Sequence, residues 1–274
     1  MGTIQTKTDE VQTCIKNYID NKSTILDLSF LNLKELPLNL PSDLIILHCN
    51  HNQLTKLSLI LPTFLQELYC SNNQIKELNH VEFPTSLRIL HCSNNQLKEL
   101  PSNLPSGLLK LYCSNNQIIE LPPNMPVDLQ ILYCDHNQIT KLPIHLPISL
   151  RELQCSHNKI TELPLKLPVS LQNLFCNHNQ IIEFPSSLPY YIREIQWHNN
   201  KYMYIPHAYP IYHISETPNY NKKALKIQKI WKPRKIRQLI HKIINDINDD
   251  NVLSKSFKHY GDLNIIDLII KYIY

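Results

Sequence analysis

Residues 108–128 read LLKLYCSNNQIIELPPNMPVD. Nearly the same string returns, in step, through most of the chain. Cysteines fall at 49, 70, 92, 113, 134, 155 and 176, which is every 21 residues with a single interval of 22. Trp197 takes the next slot and Leu28 the slot before. From Cys49 on, an asparagine follows three residues later: Asn52, Asn73, Asn95, Asn116, Asn137, Asn158, Asn179 and Asn200. Leu or Ile stands two residues beyond, from Leu54 and Ile75 to Ile160 and Ile181. The unit is LxxLxCxxNx[LI]xxLPxxLPxx, and many positions recurring together at one period mark a stack of similar coils.

Each half of the unit has its own physics. The alternation in L-x-C is that of a β-strand, so Leu111 and Cys113 point inward and Tyr112 outward. One short parallel strand per coil is expected, ~4.8 Å from its neighbour. The asparagine turns inward after the strand, where its amide can bond the backbone groups that the turn leaves unpaired. In the second half, prolines concentrate between Pro37 and Pro210, mostly as LPxxLP. Proline forbids helix interior and favours polyproline geometry, so the outer side of each coil reads as extended. Ser58 and Asn79 replace the first proline of their units. The 22-residue unit runs through LNHVEFP (78–84) and is expected to bulge outward there.

The unit resembles the LxxLxLxxNxL signature of the leucine-rich repeat family, with Cys in the third Leu slot. The resemblance covers residues 23–205, about nine coils. Its LPxxLP half is similar to the short repeats of bacterial effectors and of repeat proteins from large DNA viruses. It implies an α/β solenoid: a curved, right-handed leucine-rich repeat with a parallel β-sheet on the concave face, an extended, polyproline-like convex side and helical ends. It also implies a non-enzymatic scaffold that binds a protein partner.

A solenoid needs caps, because a terminal coil otherwise exposes its core. Residues 1–22 are read as the N-terminal cap, with a helix over 9–20, since Val11, Cys14, Ile15, Tyr18 and Ile19 share one helical face. Residues 206–221 read as an irregular link. Residues 222–274 form a basic C-terminal region in which Pro233 fits a first helical turn. An apolar stripe of Ile236, Leu239, Ile240, Ile243, Ile244 and Ile247 follows it.

Composition narrows the function. At 274 residues and 43% hydrophobic content, a sizeable core is affordable. Only three glycines occur, none near another, so the glycine-rich loops that cradle phosphates are missing. No stretch approaches the ~20 apolar residues of a spanning helix, and the N-terminus has no apolar signal core. An intracellular, cytoplasmic monomer is expected. Gly2 and Thr6 have the spacing of a myristoylation site, a short pattern of little specificity.

Chemistry-bearing residues mostly have plainer readings. The repeat cysteines are never closer than 21 residues, which gives no local zinc motif, and they read as small buried hydrophobes. His136, His157 and His178 share one slot in successive coils and invite a metal, yet Asn fills that slot elsewhere, so a polar turn is preferred and no metal or cofactor is assigned. Ser71, Ser93, Ser114 and Ser156 recur without a base, so no catalytic set is assigned. Effectors with such repeats often carry a C-terminal ubiquitin ligase with a catalytic cysteine, but the last cysteine here is Cys176, inside the repeats.

Two surfaces remain. The outward strand position carries the rings His48, Tyr69, His91, Tyr112, Tyr133 and Phe175, which suit protein recognition on the concave face. The bland alternative is that exposed aromatic rings are ordinary strand formers. The net charge of +4 is also uneven. Residues 222–274 hold twelve Lys or Arg against five Asp, +7, leaving −3 elsewhere. Lys222 to Lys242 has nine cations and no acid, the solvated side of a capping helix or a site for nucleic acid or an anionic membrane. Within it, Ile227, Gln228, Lys232, Arg234 and Arg237 belong to a segment similar to calmodulin-binding IQ sequences, with Pro233 breaking its helix at Lys232.

Overall fold

The computed structural model describes residues 2–185 and 188–201, in which one helix is followed by nine strands. Helix α1 is Gly2–Asp20 and strand β1 Ile25–Asp27. The strands β2 Ile46–His48, β3 Glu67–Tyr69, β4 Ile89–His91 and β5 Lys110–Tyr112 follow. The sheet continues with β6 Ile131–Tyr133, β7 Glu152–Gln154, β8 Asn173–Phe175 and β9 Glu194–Gln196. Every strand pairs in parallel with the next in sequence, so the sheet order is the chain order. That is the topology of a solenoid.

Register follows the repeat without slip. Leu26, Leu47, Leu68, Leu90, Leu111, Leu132, Leu153, Leu174 and Ile195 lie side by side across the sheet. All are buried, flanked in strands β2 to β9 by half-buried neighbours. A one-residue slip would turn this whole column to solvent, which is why it holds. The seven repeat cysteines continue the core immediately after the strands, with no exposed surface. Their amides donate to the carbonyls of the next coil, as Cys113 N does to Tyr133 O at 2.8 Å. Their thiols add a weaker donor at Cys49, Cys113 and Cys134, each 3.3 Å from the carbonyl one coil on. Burial pushes these thiols up, to about 12 at Cys49, Cys92 and Cys176, so they are neutral and inert.

The proline-rich half carries no helix among the described residues. It re-enters each strand through a tight turn, as where Leu129 N donates to Pro126 O at 3.1 Å. The 22-residue coil differs from the outward bulge expected of it. Val81 N donates to Leu78 O at 3.0 Å, and the turn this closes drives Val81 into the core at 1% exposure. Glu82 N ties the segment to Leu59 O at 2.8 Å.

Helix α1 begins at Gly2, well before the expected residue 9. Val11 and Tyr18 are buried, and Cys14 and Ile15 pack partly against the core. Tyr18 donates its hydroxyl to Asp43 Oδ1 at 3.1 Å, pinning the helix to the following coil. Ile19 is 61% exposed. At 100° per residue it falls at the margin of the face that Val11 and Tyr18 centre. No described helix is long and apolar enough to cross a membrane. The link at 206–221, the stripe from Ile236 and the basic segment with Ile227, Gln228, Lys232, Arg234 and Arg237 lie outside the described residues.

Candidate protein-binding face

Two columns of side chains leave the open face of the sheet from each strand. The second column carries His48, Tyr69, His91, Tyr112 and Tyr133 on adjacent strands. Their rings touch in sequence. Centroids are 4.7 Å apart for His48 and Tyr69, 6.0 Å for Tyr69 and His91, 4.9 Å for His91 and Tyr112, and 5.0 Å for Tyr112 and Tyr133. The planes cross at 52° to 88°, the edge-to-face arrangement that aromatic quadrupoles favour. Gln154 then interrupts the row, so Phe175 stands two strands from Tyr133 and outside the unbroken series.

The first column fixes two of the three phenols. Tyr69 donates to Glu67 Oε2 and Tyr133 to Glu152 Oε1, both at 2.7 Å. Gln154 Nε2 donates to the same Glu152 oxygen at 3.0 Å. Burial and then the Glu67 hydrogen bond push Tyr69 up to about 12, and Tyr133 is raised in the same way by burial and Glu152. Burial alone lowers His91. These shifts favour the neutral forms of Tyr69, His91, Tyr112 and Tyr133, with carboxylates along one side. At its start a recess of about 400 Å³ is lined by Asp27, Phe30, His48, His51, Asn72 and His91 among others.

Behind the strands, the asparagines close the coil. Asn137 Nδ2 donates to Cys113 O, Cys134 O and Asp135 O at 3.0 to 3.1 Å, while its Oδ1 accepts from Ile118 N at 2.9 Å. Asn52, Asn73, Asn95, Asn116, Asn158 and Asn179 repeat that set, and Asn200 most of it. Each amide thus joins two coils. The outward rings rest on a frame that cannot shift one strand without breaking four polar contacts.

The histidine slot has a cause that the sequence reading missed. His51, Asn72, Asn94, Asn115, His136, His157, His178 and Asn199 all have φ between 50° and 56°. This is the left-handed region, where Asn and His are enriched among non-glycine residues. A slot filled from the second coil on only by Asn and His, with Phe30 holding it in the first at φ 63°, was the available signal in a chain nearly free of glycine. His136, His157 and His178 stack face to face with centroids 4.1 Å apart. Parallel rings aim their nitrogens side by side, and among the described residues no three such ligands converge on one point. Burial and the neighbouring imidazoles hold His157 below its ordinary value.

Known proteins share this architecture. A leucine-rich repeat sequence profile matches residues 86–108. The chain is 34% identical to the leucine-rich repeat domain of a Shigella effector, with a TM-score of 0.56, over 62% of this chain and 76% of that one. It belongs to the leucine-rich repeat family. It is 31% identical to YopM, a leucine-rich effector protein from Yersinia pestis, with a TM-score of 0.64, over 70% of this chain and 54% of that one. The match thus spans little more than half the length of that YopM chain. No curated protein sequence matches the chain. The fold is one typical of protein-interaction scaffolds.

Proposed function

We propose that this leucine-rich repeat protein is a non-enzymatic scaffold that binds a protein partner through the open face of its sheet, inside a cell. The observation that carries this reading is the unbroken run of five touching rings, His48 to Tyr133, held half-buried on adjacent strands. A partner closing over them removes aromatic area from water while few rotamers remain to be frozen, so little of the gain is lost to ordering. Tyr112 is the centre of the row and the expected anchor. The likeness to effector repeats supports the same class of function. Phe175 lies apart and is expected to contribute little.

The test is a quantitative pull-down from cell lysate with wild type and a folded Tyr69→Ser, Tyr112→Ser, Tyr133→Ser triple variant, each at low and high salt. Loss of a salt-resistant partner from the variant supports the face. Recovery of the same proteins by both, stripped by salt, refutes it and points to the cations of Lys222 to Lys242.

A further inference from the structure

Strands β2 to β9 are each entered from the extended half of the preceding coil through the same four-residue turn. The fourth amide donates to the carbonyl of the first residue, a proline, from Leu44 N to Pro41 O (3.3 Å) through to Ile192 N to Pro189 O (3.1 Å). These turns stack directly. Ser170 Oγ donates to Ile148 O and Leu150 O of the preceding turn, both at 2.6 Å, as Ser86 Oγ does to Thr63 O (2.8 Å) and Leu65 O (2.7 Å). The second residue of each turn therefore projects from one edge of the solenoid, and all are exposed. In chain order they are Ser42, Thr63, Thr85 and Ser106, then Val127, Ile148, Val169 and Tyr190.

The chemistry of the edge changes at its midpoint. Four hydroxyl tips give way to four apolar ones, exposed by 56%, 64%, 70% and 91%. Tyr191, the neighbour of the last tip, is exposed by 63% and its ring lies 5.3 Å from that of Tyr190. Turn tips ordinarily carry Gly, Pro, Asn, Asp or Ser. A contiguous apolar ridge rimmed by polar residues marks a contact surface.

We propose that this ridge is the contact face of a two-fold symmetric dimer of the chain, with the two ridges packed antiparallel. This departs from the single-chain behaviour expected of the sequence. Three features select a second copy as the occupant. First, a partner must match tips that recur every ~4.8 Å, and a second copy does so over all four coils. Second, with the axis between Ile148 and Val169, Val127 meets Tyr190 and Ile148 meets Val169, so the largest tip faces one of the two smallest.

Third, the charges fit. Asp128 is the third residue of the first apolar turn, and Arg193 follows the last turn. A side chain at that following position reaches the tips, since Arg88 Nη1 donates to Thr85 O at 3.0 Å and Gly107 O at 3.4 Å. Antiparallel packing brings Asp128 of each copy to Arg193 of the other. Parallel packing would set Asp128 on Asp128 and Arg193 on Arg193, which repels. The isologous contact closes at two copies. A standard interface buries ~800 Å² per partner, and each covered tyrosine supplies about 150–250 Å².

Sedimentation velocity of the full chain across the micromolar range tests this, with circular dichroism showing that each variant is folded. The wild type is expected to dimerise with concentration, and Ile148→Asp to weaken association about tenfold or more. Phe64→Asp, at an exposed position three turns before that of Val127, should leave it unchanged. Asp128→Arg and Arg193→Asp should each weaken the dimer several-fold, and the double exchange should restore it. A chain monomeric throughout overturns the proposal. So do a dimer indifferent to Ile148→Asp, an assembly growing past two copies, or a double exchange worse than either single change.

Discussion

The inward strand column, from Leu26 to Ile195, changes residue once in nine coils. The outward column one residue later runs Asp27, His48, Tyr69, His91, Tyr112, Tyr133, Gln154, Phe175 and Gln196, and nowhere holds one residue for more than two coils. Both columns sit on the same three-residue strands. The difference lies in what each must satisfy: an inward side chain has to fit the coils on either side, and an outward one only has to avoid clashing with its neighbours. The repeat thus separates the code for folding from the code for binding, a division that substitutions can test.

The largest effect is expected on the inward side. Asn137→Leu removes the amide that joins the coils of Cys113 and Cys134, and each backbone group left unpaired costs ~1–3 kcal/mol. A chemical denaturation series should show that loss, and a midpoint equal to wild type would break the comparison. Next comes the left-handed slot. Asn115→Val should cost ~1–2 kcal/mol because a β-branched residue resists φ of 55°, whereas Asn115→Gly should cost nothing or stabilise slightly. Outward changes should be milder: Tyr112→Gln is expected to lose ~0.5–1.5 kcal/mol of ring contact with the fold intact.

Protonation sharpens the contrast further. His91, His157 and His198 are held below the ordinary histidine value, by burial first and, for the last two, by neighbouring imidazoles. The unfolded chain then takes protons first, so stability should decline as pH falls through ~6.5 towards the depressed values. Asp135, raised by burial, has the opposite sign in the acid range, where the folded chain takes the proton first. Thermal melts from pH 7 to pH 5 read the histidine part, and His157→Asn, which tolerates the same φ, should flatten the slope. The smallest energetic effect belongs to the thiols, whose readout is kinetic. A thiol reagent should modify the half-buried Cys14 first in the folded protein, slowed by burial and by the Asp27 and Glu10 carboxylates that hold its thiol up, and reach the seven repeat cysteines only on unfolding.

What the sequence made legible follows the same division. The Leu, Cys and Asn columns were readable because every coil imposes the same demand at those positions, and strand register followed from them. The helix start at Gly2 was not, since MGTIQTKT has no apolar face to announce it. Val81 misled for a related reason: an inserted residue has no counterpart in other coils to say which way it turns. The left-handed slot was hidden behind chemistry, because histidines in a row suggest ligands before they suggest φ. Neither the contact between successive outward rings nor the change from hydroxyl to apolar turn tips is dictated by the repeat. Both emerge only when equal positions are set side by side in space.

The in-order sheet also has a mechanical meaning. Strand β5 touches β4 and β6 and no other strand, and the same holds along the stack. A pull on the two ends of the repeat region would therefore meet no distant clamp. It would peel one coil at a time, each yielding 21 residues and about 70 Å of slack. The force trace should be a sawtooth of nearly equal teeth, with the 22-residue coil at Val81 as the one odd tooth.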